Sequence, residues 1–295
     1  MSPRPLSRLL GDAMMSLART WRALLVPAVT VSLGMSVAAW AIFEVNGAGA
    51  FLDAVVNNPD GLRRLPDEVL ADLSRPFYLA AAQIVVVQIV GSLYIALAGH
   101  LAVAAQTRGE TLTAVQVSGQ AARRFPVGLG STLLALMTVG ILLGSGLLLW
   151  VNPILSVGTP NAATELVAAL LLCVLVGPGI WAGVVLSMTA PVVAIEGGGV
   201  FGSLRRSMQL VRGRWWATAR FLVMVGLLGG IAILLIQVVA LPLSTAGGAS
   251  PVLTLATALG AITQGMLVAA IAGVYTHWYF DLRARKGDPA TSWPD

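Results

Sequence analysis

Long apolar runs alternate along the chain with short polar segments. The runs lie at about 23–43, 77–106, 126–150, 165–195, 217–241 and 252–280. Each holds at least the ~20 helical residues that cross the hydrocarbon of a bilayer, and in lipid a segment of this kind must bond its own backbone. The pattern predicts an all-α fold. It is a polytopic six-helix transmembrane bundle over 23–280, with cytoplasmic interfacial amphipathic helices and a polar cytoplasmic tail over 281–295. Residues 46–76 form the one long polar segment between spans and are expected outside the cell. They carry an Asn-Pro-Asp-Gly turn signal at 58–61, and a short helix is expected from Pro66.

The polar segments have a period of their own. Over 1–22, Leu6, Leu9, Leu10, Ala13, Met14, Leu17 and Trp21 share one helical face, with Arg8, Asp12, Arg19 and Arg22 on the other. From Val200, the side chains of Val200, Phe201, Leu204, Met208 and Val211 fall together, opposite Arg205, Gln209 and Arg212 with Arg206 near them; Leu210 is out of register. Basic amphipathic helices beside spans are expected in the headgroup layer, and Trp215 and Trp216 mark the level where the fifth span enters the bilayer. Residues 108–125 are expected to form a further helix outside the membrane, with Pro126 opening the third span. Three junctions look alike: Arg19-Thr20-Trp21-Arg22, Arg123-Arg124-Phe125 and Arg212-Gly213-Arg214-Trp215-Trp216. They lie 104 and 90 residues apart when Trp21, Phe125 and Trp215 are matched, which suggests three repeats of interfacial helix plus hairpin.

Composition agrees with the pattern. Apolar residues make up 57% and charged residues 11%, where a soluble domain carries roughly 25% charged. Only Arg63, Arg64 and Arg75 fall in the long polar loop, which leaves fifteen of the eighteen basic residues on the other side. The positive-inside rule then places both termini in the cytoplasm, in the inner (plasma) membrane of a bacterium; seventeen arginines against one lysine hint at a high-GC bacterial source. Trp278 and Tyr279 are expected in the aromatic belt at the inner ends of the spans, Trp40 and Trp150 at the outer ends. The single Cys173 forms no intramolecular disulfide and no metal site.

Chemistry-bearing residues are few. His100 and His277 lie near the inner ends of spans two and six, where each serves either as a proton group or as a structural hydrogen-bond partner. Gln83, Gln88, Gln237 and Gln264 are polar at membrane depth and are expected to bond between helices. Glu196 either caps the helix that begins near Gly198 or pairs with an arginine. The triplet Gly197–Gly199 lacks the Gly-Lys-Ser/Thr continuation of a phosphate loop and reads as a joint. Gly177–Pro178–Gly179 is expected to kink span four. No catalytic set, metal cluster or cofactor motif is recognised, and the basic residues are strung along the membrane face, which argues against nucleic acid.

Ala194-Ile195-Glu196-Gly197, Ser203-Leu204-Arg205-Arg206-Ser207, Arg214-Trp215-Trp216 and the closing Tyr279-Phe280-Asp281-Leu282-Arg283-Ala284-Arg285 resemble a membrane domain associated with glycerophosphodiester phosphodiesterases. That domain ends in tyrosine-aspartate-leucine-arginine-x-arginine, here with Phe280 inserted. The resemblance covers nearly the whole chain and implies a membrane domain that occurs fused to a catalytic barrel or alone. This chain has no room for the barrel and lacks its metal ligands and histidine pair. The expected function is therefore non-enzymatic: a membrane scaffold or accessory subunit whose Arg205, Arg206, Arg212, Arg214, Trp215 and Trp216 hold anionic lipid headgroups, a membrane-protein partner or a second copy of the chain. The alternative is a small-molecule or lipid transporter or flippase, with a cavity between the hairpin repeats lined by the intramembrane glutamines.

Overall fold

A computed structural model describes residues 6–62, 64–155, 162–245 and 251–288. The described residues are all-α: α1 Leu6–Val45, α2 Gly49–Asn57, α3 Pro59–Leu62, α4 Asp67–Thr107, α5 Ala114–Leu155, α6 Ala162–Leu186, α7 Thr189–Glu196, α8 Val200–Val211, α9 Trp215–Thr245 and α10 Pro251–Arg285. Six stretches among them are long and apolar enough to cross a membrane: Gly11–Val45, Asp67–Thr107, Ala114–Ser145, Val174–Glu196, Trp215–Leu235 and Leu259–Arg285. The chain is a multi-pass membrane protein.

Helices end where the backbone can turn. Gly47, Gly109, Gly197, Gly213 and Gly287, the positive-φ glycines of the described residues, each lie one or two residues past the end of a helix. That is the position at which a left-handed residue closes the last turn. The sequence junctions at Trp21 and Phe125 carry no such glycine, and there the helix runs straight on. The amphipathic leader and span one are a single 40-residue helix that passes Pro27, about 60 Å long and so longer than the hydrocarbon is thick. Residues 114–125 are likewise the first turns of α5, which continues through Pro126. Of the three expected interfacial helices, only α8 is a separate element, because Gly213 at φ 81° releases it from α9. The short helix expected from Pro66 is the start of the 41-residue α4, which passes Pro76 without ending.

Span four breaks between Leu186 and Thr189. α6 continues past Pro178 and stops at Leu186, and α7 starts at Thr189. Pro191 is the physical reason. It has no N–H to donate to the Ser187 carbonyl, and its ring would collide there. Ser187 and Thr189 turn their hydroxyls onto the Val184 and Leu186 carbonyls, at 2.8 and 2.6 Å, and so satisfy the broken end. Gly179 is needed for packing, since a Cβ there would lie 2.6 Å from Leu143 of α5.

α1, α4 and α10 pack against one another at the centre, the α5–α6 hairpin lies against α4, and α9 lies against α10 and α6. Small residues let the central helices touch. A Cβ on Gly265 would meet Ser32 Oγ at 2.1 Å, and one on Gly99 would meet the Ala272 Cβ at 2.9 Å. Burial is concentrated at the end where α8 and the last turns of α10 meet, here named the basic end. Residues Leu97–Ala105 of α4 and Val192–Ile195 of α7 are buried there. Trp278 stacks on Phe221 with centroids 4.8 Å apart, and Tyr279 is fully buried. Neither residue is the belt anchor expected of it, because Trp278 is turned against α9 and Tyr279 against Glu196 at the end of α7.

Candidate functional site

α8 presents two unequal faces. Ser203, Leu204, Ser207, Leu210 and Val211 are turned into the protein. Leu210, the residue out of register in the sequence pattern, is fully buried, whereas Phe201 is 77% exposed and Met208 41%. The apolar face expected from periodicity is therefore split. Its small and aliphatic members dock α8 onto the bundle, and Ser207 donates to the Val185 carbonyl at the end of α6, at 2.7 Å. The outer face runs Phe201, Arg205, Met208, Arg212, all exposed, at the i, i+4, i+7, i+11 spacing of one helical stripe. It continues past Gly213 into exposed Arg214 and Trp216, the latter 74% exposed, while Trp215 is half-buried with its ring 4.7 Å from that of Trp216.

Arg206 parts from the other three arginines. Its Nε donates to both Glu196 oxygens at 3.1 Å, and its terminal nitrogen pairs with Asp288. Tyr279 donates its hydroxyl to Glu196 Oε1 at 2.5 Å, and Arg283 reaches the Tyr279 hydroxyl at 3.4 Å and the Asp288 carboxylate at 3.8 Å. Burial by itself lowers the Arg206 pKa, but hydrogen bonds and charge attraction from Asp288 and Glu196 outweigh it and raise the pKa. The guanidinium is thus charged at any physiological pH. Glu196 takes the arginine-pairing role of its two expected ones; the cap position of α8 is Gly199, which has no side-chain cap. Gly197 ends α7 at φ 68°. Arg124 caps that end, donating to the Val193 carbonyl at 3.2 Å and to the Ala194 carbonyl. This is a favourable place for a cation at a helix C-terminus.

A groove of about 510 Å³ opens beside this network, with Arg205, Arg206, Gln209 and Ser203 on one wall and Arg283 and Asp288 on the other. Four residues from the quoted sequence motifs, Glu196, Arg206, Tyr279 and Arg283, meet here. Sequence reasoning missed Asp288, Arg124 and the partnership of Tyr279. The signal for Tyr279 is its place in the last two turns of α10, opposite an acid-glycine helix end.

The family model that matches the chain covers residues 6–282 and is described as a domain of unknown function (DUF7847). The chain belongs to this family. Its matched segment takes in all six spans, α8 and the whole Glu196–Arg206–Tyr279 contact, and stops one residue short of Arg283. No curated protein and no solved structure matches the chain.

The remaining candidates lie apart from the groove. His100 is 2% exposed, and its Nδ1 is 2.9 Å from Thr276 Oγ1, joining α4 to α10. His277 Nε2 is 3.0 Å from Ser16 Oγ, joining α10 to α1. Both histidines therefore join helices to one another. Gln83 is exposed and accepts from Asn46 at 3.0 Å, and Gln264 is exposed. Gln88 buries its Oε1 without a partner among the described residues. The Gln237, Cys173 and Trp150 side chains and Arg63 lie outside the described residues or side chains. Among the described residues, no group of three or more His, Cys, Asp and Glu is placed to hold a metal ion.

Proposed function

We propose that this chain is a non-enzymatic membrane subunit of a bacterial inner membrane that holds anionic lipid headgroups at its basic end, with that end and both termini in the cytoplasm. The observation that carries the reading is the outward stripe Phe201–Arg205–Met208–Arg212, continued by Arg214 and Trp216. Exposed aromatic and thioether side chains alternating with arginines suit the boundary between acyl chains and phosphates, where each arginine is worth about 1 kcal/mol against an anionic surface. The fifteen basic residues biased to one side supply the orientation. The convergence of motif residues on Glu196 supports reading the chain as a counterpart of the phosphodiesterase-associated membrane domain it resembles. The transport alternative needs the glutamines to line one cavity, and Gln83 and Gln264 instead face outward.

The test is lipid selectivity. In phosphatidylcholine bilayers, wild type is expected to retain spin-labelled phosphatidylglycerol in preference to spin-labelled phosphatidylcholine. Joint replacement of Arg205, Arg212 and Arg214 by Gln should abolish the preference. An unaltered preference in that variant would sink the reading.

A further inference from the structure

The two acids that meet Arg206 are anchored very differently. Glu196 closes α7, accepts from Tyr279 and takes both oxygens onto Arg206 Nε. Asp288 stands beyond the end of α10, one residue after Gly287 at φ 75°. Its side chain is half-exposed, and the same oxygen, Oδ2, meets Arg206 and lies 3.8 Å from Arg283 Nε. Its backbone adds one N–H bond to the Arg283 carbonyl at 3.3 Å. A single anionic oxygen shared by two guanidiniums at the mouth of a groove is the arrangement in which arginines take a phosphate oxygen.

We propose that Arg206 and Arg283 form a binding site for a phosphate monoester, and that Asp288 closes it as an internal anion which the incoming phosphate displaces. The charge balance favours exchange. Among the described side chains that line the groove, Arg205, Arg206 and Arg283 outnumber Glu196 and Asp288 by one positive charge, so an anion of higher charge than a carboxylate is better matched there. α8 begins at the groove with Gly199 at its cap position and no side-chain cap, so its first N–H groups and dipole also face an anion. Glu196 keeps Arg206 in place throughout, because its bonds to Nε leave the terminal nitrogens to the exchanging partner. A carboxylate on a glycine hinge is easily released, since exposed ion pairs hold weakly. The groove is large enough for a phosphate with a small organic substituent.

The chemistry fits two sources, the headgroup of phosphatidic acid and a soluble phosphate ester. The full chain is placed in phosphatidylcholine nanodiscs and titrated with glycerol 3-phosphate by calorimetry. In a second arm, phosphatidic acid is transferred from vesicles and its partition measured. Asp288→Asn is expected to tighten binding of one probe or both, by about tenfold if Asp288 fills the site nine-tenths of the time. Which probe gains identifies the source. Adding Arg283→Gln to Asp288→Asn should remove the gain, and deletion of residues 288–295 should reproduce it. Unchanged affinity for both probes in Asp288→Asn, or a gain that survives Arg283→Gln, overturns the proposal. Asp288 lies outside α10, and a matched melting temperature for Asp288→Asn checks its folding. Arg205 lines the groove as well as the stripe, but none of these substitutions touches Arg205, Arg212 or Arg214, so a failure here leaves the reading of the outward stripe standing.

Discussion

The basic end and the membrane-embedded middle of the bundle differ in how far their polar side chains reach. In the middle, hydroxyls turn back on their own helix: Thr138 donates to the Leu134 carbonyl at 2.8 Å, Ser145 to Ile141 at 2.5 Å and Thr263 to Leu259 at 2.8 Å. The exterior there is apolar, as with Val223, Leu227, Ile231 and Leu234 along α9. At the basic end some hydroxyls do the same, as Thr276 does to the Ala272 carbonyl, but bonds between helices are added: His100 with Thr276, Tyr94 to the Ser118 carbonyl, and Arg206 and Tyr279 to Glu196. Lipid offers no hydrogen bonds, so an isolated hydroxyl there is best satisfied locally. Where helix ends leave carbonyls and charges near water, only contacts between elements can hold the ends in register, and a satisfied network then specifies one arrangement.

The sharpest way to break this contrast is to force apart the central helices on which both regions depend. Gly265→Leu puts side-chain atoms into Ser32 and the Ala28 carbonyl, which a bare Cβ already approaches at 3.0 Å. A loss of about 3 kcal/mol or outright misassembly is expected, read as lost monodispersity and a lowered Tm in detergent. Next comes the network itself. Glu196→Gln leaves Arg206 with one acid fewer and weakens the bond from Tyr279, at a cost of about 2 kcal/mol in thermal unfolding, discounted from a fully buried pair because both side chains retain some exposure. Tyr279→Phe removes the bond to Glu196 and the longer one from Arg283, and should cost about 1 kcal/mol. A larger loss for Tyr279→Phe than for Glu196→Gln would mean that the Tyr279 hydroxyl, not the Glu196 charge, holds this end. The smallest effect sharpens the other half: Leu227→Ala on the exposed face of α9 should change Tm by an amount equivalent to less than about 0.5 kcal/mol.

Span number and class were readable because twenty or more apolar residues in lipid have one backbone solution. Helix continuity was less readable. In three places a polar amphipathic stretch followed by an apolar one reads as two helices, yet amphipathicity does not break a backbone. Gly213 does, and so does Pro191, while Pro27, Pro76, Pro126 and Pro178 sit within helices whose neighbours tolerate them. The glutamate-arginine pair was within reach of sequence because the two residues lie ten apart across a joint. Asp288 was not, since its partner is 82 positions away and no periodicity links a tail to a groove. α8 was misjudged at Phe201 and Leu210 for a physical reason. Against a bundle of close-packed helices the serines, not the larger apolar residues, gave the surface that fits.

The central claim is that the outer stripe of α8 lies in lipid headgroups, and Phe201 tests it most directly. With Cys173→Ser removing the chain's one cysteine, Phe201→Cys carries a nitroxide label in liposomes containing phosphatidylglycerol. Power saturation then compares collisions with oxygen, which concentrates in the bilayer, and with a water-soluble nickel chelate. The account predicts high oxygen and low nickel accessibility, placing the label just below the phosphates. A label at position 201 that collides freely with the nickel complex would show that α8 stands off in water, and would contradict the account.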